Sequence, residues 1–152
     1  MKFILKKIFF LCSYSFIFCG NLHQNICEHF PHKIYNKNGN LVEELNCSDS
    51  KYFGKNVYKY DENNNLIEEY VFNSYGNLVE GEFGTYPCKK IYKYDSQGNL
   101  IEYLQYNYEG YLTDGDSLYY SPSRIVYKYD SNNNLVEEIR YNHKGKLFKD
   151  RY

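Results

Sequence analysis

The sequence predicts an all-β protein: an antiparallel meander sheet of tandem hairpin repeats, preceded by an N-terminal signal segment. Three observations lead there. Aromatic residues make up 20% of the 152 residues, 20 of them Tyr, a strand former whose ring can bury while its hydroxyl stays wet. Seven short segments follow one rule: aromatic, Asp or Asn, two variable residues, Gly or Asn, one variable residue, Leu. Between these segments side chains alternate with period two, and no good helical period follows the leader.

Residues 1–19 are read as a signal peptide. Lys2, Lys6 and Lys7 precede an apolar run from Ile8 to Phe18, 11 residues long and too short to span a bilayer as a helix. Phe16-Ile17-Phe18-Cys19-Gly20 resembles a bacterial lipoprotein lipobox, although the family has a small residue where Phe18 stands. The resemblance implies acylation of Cys19 and attachment to a membrane. Ser13 and Ser15 offer ordinary cleavage after Ser15 as the competing reading. Residues 20–32 read as a linker, and 33–152 as the repeat domain, with units near 33–56, 57–90, 91–124 and 125–152.

The long units start at Val57, Ile91 and Val126, spaced 34 and 35 residues apart (57 to 91, 91 to 126). The seven turn copies place the corner residue at Asn36, Asp61, Asn73, Asp95, Asn107, Asp130 and Asn142. Three residues on stand Gly39, Asn64, Gly76, Gly98, Gly110, Asn133 and Gly145. A corner Asp or Asn bonds its own backbone two residues on, as in a type I turn. The residue that closes the turn takes a left-handed conformation, free for Gly and best tolerated by Asn among the others. This is the type I turn with a G1 bulge, in which the aromatic residue faces the Leu across the ladder.

Counting by two places Leu66, Tyr70 and Phe72 on one face, with Leu100, Leu104 and Tyr106, and Leu135, Ile139 and Tyr141, as their counterparts. Asn46–Lys55, Gly81–Cys88 and Asp114–Ser123 are irregular and rich in turn residues, so they read as loops. The total is a meander of about 8–11 strands.

Tyr94-Asp95-Ser96-Gln97-Gly98-Asn99-Leu100 resembles the YD repeat of Rhs-type proteins, and Tyr60–Leu66 and Tyr129–Leu135 match it with Asn in place of Gly. The resemblance covers roughly Lys33 to Tyr152. It implies a coiling β-sheet that serves as a shell or binding scaffold. Three full units are few for enclosing a cargo, so encapsulation does not carry over. The short copies also resemble MORN-like repeats, which carry more Gly.

Composition bounds the chemistry. Without the leader lysines the chain keeps 18 − 3 = 15 basic against 19 acidic residues, which argues against nucleic-acid binding. Nucleophile, metalloprotease and phosphate-loop motifs are missing, and the repeated Asp residues are explained by turn chemistry, so no catalytic residue and no cofactor is expected. His23, Cys27, His29 and His32 cluster without an established zinc spacing, so no metal site is expected. Glu68, Glu102 and Glu137 recur two residues after the repeat Leu, which suggests either a calcium-binding row or ion pairs with Lys59, Lys93 and Lys128; ion pairs are the expected role. Cys27, Cys47 and Cys88 can form one disulfide and leave one thiol, with the pairing open. The expected function is a non-enzymatic, envelope-associated binding or structural scaffold with a protein or glycan partner. The alternative is an immunity or antitoxin-like protein acting at the envelope.

Overall fold

The computed structural model describes residues 26–28, 30–79, 87–114 and 121–148. The leader with Cys19, as well as His23 and His29, lies outside the described residues. Eight strands form one sheet in chain order, each antiparallel to the next: β1 (Lys33–Tyr35), β2 (Leu41–Ser48), β3 (Lys51–Tyr60), β4 (Leu66–Asn73), β5 (Lys89–Tyr94), β6 (Leu100–Tyr106), β7 (Arg124–Tyr129) and β8 (Leu135–Tyr141).

Turn chemistry fixes the register. Gly39, Asn64, Gly76, Gly98, Gly110, Asn133 and Gly145 have φ between 63° and 86°. In every copy this residue's N–H donates to the corner carbonyl, for example Gly98 to Asp95 at 3.1 Å. The corner N–H donates to the carbonyl four residues on, as Asp95 does to Asn99 at 3.0 Å. The corner side-chain Oδ1 accepts two further N–H groups; for Asp95 these are Gln97 and Asn99. Aromatic and Leu then face each other in all seven copies, from Tyr35 with Leu41 to Tyr141 with Leu147.

Each unit has the same plan. β3 rises to the turn at Asp61, β4 descends to the turn at Asn73, and a short arm folds back on the lower end of β4 through Phe72–Leu78 and Val79 N–H to Val71 O. The chain then returns as β5 beside Glu68–Tyr70. Leu112 and Leu147 make the same short arm on β6 and β8. The long-unit turns therefore lie at one end of the sheet and the short-unit turns at the other.

Two expectations need correction. Asn46–Lys55 is not a loop. β2 and β3 run through it and reverse at Asp49-Ser50, both with positive φ (49° and 60°), the backbone of a two-residue hairpin turn. Asp and Ser hide that turn because neither is the Gly that normally announces it. Leu66 also does not share a face with Tyr70 and Phe72. Lys59 pairs with Glu68 but Tyr60 with Leu66, so Ile67 is an extra residue and every later side chain changes face. The same bulge recurs at Val42, Ile101 and Val136. Leu100 accordingly lies on the face opposite Leu104 and Tyr106, and Leu135 on the face opposite Ile139 and Tyr141.

The sheet is a single layer, so little is fully enclosed. Among the described residues the buried apolar side chains are Pro87, Cys88, Leu104 and Pro122, and the buried polar ones are Gln105 and Ser123. Gly54, Cys88 and Ser123 hold one repeat-equivalent position where the returning strand presses on its neighbour. Cys88 N–H donates to Tyr106 O at 3.1 Å and Ser123 Oγ to Tyr141 O at 3.2 Å. At Gly54 a Cβ would sit 2.0 Å from Phe72 O, so only glycine fits.

Candidate binding face

The bulges sort side chains into two chemically different faces. One carries Tyr58 and Tyr60 of β3, Leu66 and Glu69 of β4, Tyr92 and Tyr94 of β5, Tyr103 and Gln105 of β6, Tyr127 and Tyr129 of β7, and Glu138 of β8. The other carries the recurring ion pairs of Glu68, Glu102 and Glu137 with Lys59, Lys93 and Lys128. The turn keeps the repeat Leu opposite its tyrosine; without the bulge Glu68, Glu102 and Glu137 would fall on the tyrosine face, away from Lys59, Lys93 and Lys128.

On the tyrosine face, three hydroxyls join consecutive repeats. Tyr60 Oη donates to Leu41 O, Tyr94 Oη to Leu66 O and Tyr129 Oη to Leu100 O, each at 2.9 Å. The repeat tyrosine of one hairpin thus closes on the repeat leucine of the previous one. Such a bond contributes about 0.5–1.5 kcal/mol net. Tyr92 Oη donates to Glu69 Oε1 at 2.8 Å, while Lys90 Nζ reaches Glu69 Oε2 at 3.0 Å. Burial, followed by that carboxylate, holds the Tyr92 phenol far above its ordinary pKa. Tyr103 packs on Tyr92 with ring centroids 5.4 Å apart, and burial, with the charge of Glu69 behind it, pushes its pKa up to about 12. Tyr103 Oη donates to Gln105 Oε1 at 3.1 Å, and Gln105 Nε2 donates to Ser121 Oγ at 3.1 Å. These phenols stay protonated near neutral pH and act as hydrogen-bond donors.

On the opposite face Glu68, Glu102 and Glu137 are committed to ion pairs. Lys59–Glu68 measures 2.7 Å, Lys93–Glu102 2.6 Å, Arg124–Glu102 2.6 Å and Lys128–Glu137 2.6 Å. Lys59's hydrogen bond is the main reason the Glu68 pKa is lowered. At Glu102 burial raises the pKa, but bonds from Lys93 and Arg124 outweigh it and the net shift is downward. Cross-strand pairs this exposed contribute about 0–1 kcal/mol each. Each recurring carboxylate is already neutralised by a recurring cation, which is the ion-pair arrangement rather than an open cation row.

The predicted turn residues line the two ends of the sheet and meet across repeats in part. Asn38 and Asn40 both donate to Asn64 Oδ1, at 2.7 and 2.9 Å, and Asn99 donates to Asn133 Oδ1 at 3.1 Å. At the other end Asp114 caps the turn of the next unit: His143 N–H donates to Asp114 Oδ1 at 2.7 Å, and His143 Nδ1 lies 2.6 Å from Oδ2. In the long-unit turns the Asp carboxyl has a second partner, as Asn65 Nδ2 donates to Asp61 Oδ2 at 3.0 Å. That bond leads the causes that lower the Asp61 pKa, and Asn99 and Asn134 do the same for Asp95 and Asp130. The recurrence of Asn four residues after the corner Asp (Asn65, Asn99, Asn134) is the sequence signal for it.

Cys27 and Cys47 form a disulfide that ties the N-terminal segment to β2, and Cys88 is buried outside it. The disulfide removes the Cys27 thiolate from the His23, Cys27, His29 and His32 group. His32 Nε2 instead lies 2.8 Å from Cys27 O. Among the described residues, no three of His, Cys, Asp and Glu gather as a metal site would require.

Fold and faces together define a class: a one-layer antiparallel meander of tandem hairpins, repeating in pairs of strands and locked from repeat to repeat by tyrosine hydroxyls. No protein-family model and no curated protein matches the chain. Among solved structures it is similar to a chain in the crystal structure of TcdB2-TccC3-TEV, at 17% identity and a TM-score of 0.47, over 71% of this chain. The matched region spans 4% of that much longer chain.

Proposed function

We propose that this chain is a YD-repeat-like protein of the bacterial envelope that binds a protein or glycan partner on its tyrosine face and catalyses no reaction. The observation that supports this most is the face itself: phenols held protonated and aromatic rings spaced along strands, with the carboxylates of Glu44, Glu69 and Glu138 between them each in an ion pair with Lys33, Lys90 or Arg140. Such a surface offers stacking planes with hydrogen-bonding rims, the chemistry that recognises sugar rings or aromatic and basic side chains. The leader supports export, with Cys19 as the lipid attachment point and the envelope as the place of action.

The test has two arms. Full chain expressed in a bacterial host is fractionated with and without Cys19→Ser, and the substitution moves the protein from the membrane to the soluble fraction. Isolated envelopes are then titrated with the full chain and with Tyr58→Ser/Tyr127→Ser, two half-buried positions on the face. Binding weakened about ten-fold or more, equivalent to about 1.4 kcal/mol, supports the reading. Binding unchanged in a variant that keeps its β-sheet circular dichroism contradicts it.

A further inference from the structure

We infer that the two edges of the sheet are halves of one repeat junction, and that β8 of one copy takes β1 of a second copy of this chain, head to tail. At each internal junction a tyrosine hydroxyl reaches the leucine carbonyl of the preceding hairpin (Tyr60 to Leu41, Tyr94 to Leu66, Tyr129 to Leu100). The same repeat positions at the ends are Tyr35 in β1 and Leu135 in β8. Tyr35 is 56% exposed and Leu135 51%, whereas Tyr60, Tyr94, Tyr129, Leu41, Leu66 and Leu100 are all half-buried. Each end shows the half of the lock that the other end lacks.

The backbone is in phase for this. Arg140 O accepts from Phe148 N–H on the outer side of β8, so Glu138, two residues back, also directs its N–H and C=O outward. In β4 the matching residue, Glu69, pairs with Lys90 of the returning strand. Among the described residues nothing pairs with Glu137–Ile139 from that side. β4 and β6 use these positions for the next unit, through Glu68–Ile91 and Glu102–Val126. Carried to the ends, that register sets Glu137 opposite His32, Glu138 opposite Pro31 and Ile139 opposite Phe30.

The end residues suit each other. Glu69 needs Lys90 as its cation, but Glu138 is already bonded to Arg140 at 2.6 Å, so the uncharged Pro31 can stand where Lys90 stands. Phe30, 47% exposed, falls opposite the apolar Ile139, and His32 falls opposite the carboxylate of Glu137. Pro31 has no N–H and drops one rung, which an edge tolerates. The contact is heterologous, so it propagates as a chain of copies rather than closing as a symmetric dimer.

The test is cross-linking in trans. Glu68 and Ile91 form a close, non-hydrogen-bonded pair, a geometry suited to a disulfide. Positions 32 and 137 of one copy are seven strand spacings apart, roughly 34 Å, and cannot bridge within a chain. Full-length His32→Cys and Glu137→Cys chains, carrying different tags, are mixed in mild detergent and oxidised, with the unsubstituted chain as baseline. The expected result is a mixed dimer at least about ten-fold more abundant than from His32→Cys with Glu138→Cys, whose side chain lies on the other face. Equal yields from the two mixtures, or no mixed dimer in either, would overturn the inference.

Discussion

Gly54→Ala is the sharpest perturbation available to this fold. Gly54 sits in β3 at φ +147°, opposite Asn73, and an added Cβ would lie 2.0 Å from Phe72 O and 2.9 Å from Asn73 Cα. Both contacts are backbone, so β3 and β4 must part or bend. Gly98 is the control, with φ +86° and no heavy atom within 4 Å of its ideal Cβ. Gly98→Ala should cost about 1–2 kcal/mol, the conformational penalty alone. Gly54→Ala adds the collision with the ladder, and the sum should exceed about 3 kcal/mol, within the range of severe single substitutions. For a domain of this size that lowers Tm by roughly 10 °C or more, against a few degrees for the control. Urea unfolding followed by far-ultraviolet circular dichroism measures both. A Gly54→Ala chain as stable as Gly98→Ala would refute the close approach of β3 and β4 at this point.

Other expectations follow from the same contacts. Tyr94→Phe removes the donor to Leu66 O and should destabilise by about 1 kcal/mol, read as a lower urea midpoint at unchanged slope; Tyr106→Phe, whose hydroxyl is not one of the three repeat-joining donors, should have the smaller effect. Glu68 and Glu102 have depressed folded pKa values, so their stabilisation is present above the unfolded carboxylate value of 4.5 and is lost as pH falls through the folded values; Tm should be level near neutrality and decline below about pH 4.5. Tyr92 and Tyr103 are raised above 10.0, so their contribution is present below pH 10 and disappears as pH climbs through the folded values. Absorbance at the phenolate band should then show a group of tyrosines that ionise late, together with unfolding. Reduction of Cys27–Cys47 releases a closure over 20 residues, worth about 3 kcal/mol in the chain-entropy description, and should open cleavage sites around Lys33 while leaving fragments that contain β4–β8 intact.

The turns were legible because their chemistry is local. Asp95 and Gly98 are three residues apart and define the reversal between them without help from the rest of the chain. Strand pairing in chain order followed from the aromatic–Leu rule. The alternation of faces did not, since period-two counting assumes an unbroken ladder and the bulges at Val42, Ile67, Ile101 and Val136 break it. No residue type marks those bulges; they are branched aliphatics, indistinguishable in sequence from ordinary strand residues. The Asp49-Ser50 hairpin was missed for a related reason, because its left-handed backbone lacks glycine. The tyrosine-to-leucine lock is non-local, joining residues 19 to 29 positions apart, although the invariance of Tyr before Asp at residues 60, 94 and 129 pointed to a role for the hydroxyl beyond that of a ring. The Cys27–Cys47 pairing is non-local too: Cys47 lies in β2 beside the Asp49-Ser50 reversal, which no glycine announces.

The pairing of consecutive repeats is what everything else stands on, and proton–proton contacts across the sheet measure it directly. Glu68 with Ile91 and Glu102 with Val126 are close, non-hydrogen-bonded pairs, in which opposing Hα atoms come within nuclear Overhauser range. The account predicts Hα–Hα cross-peaks for both pairs. Cross-peaks that join Glu68 to Val126, or that shift either pair by one residue, would contradict it.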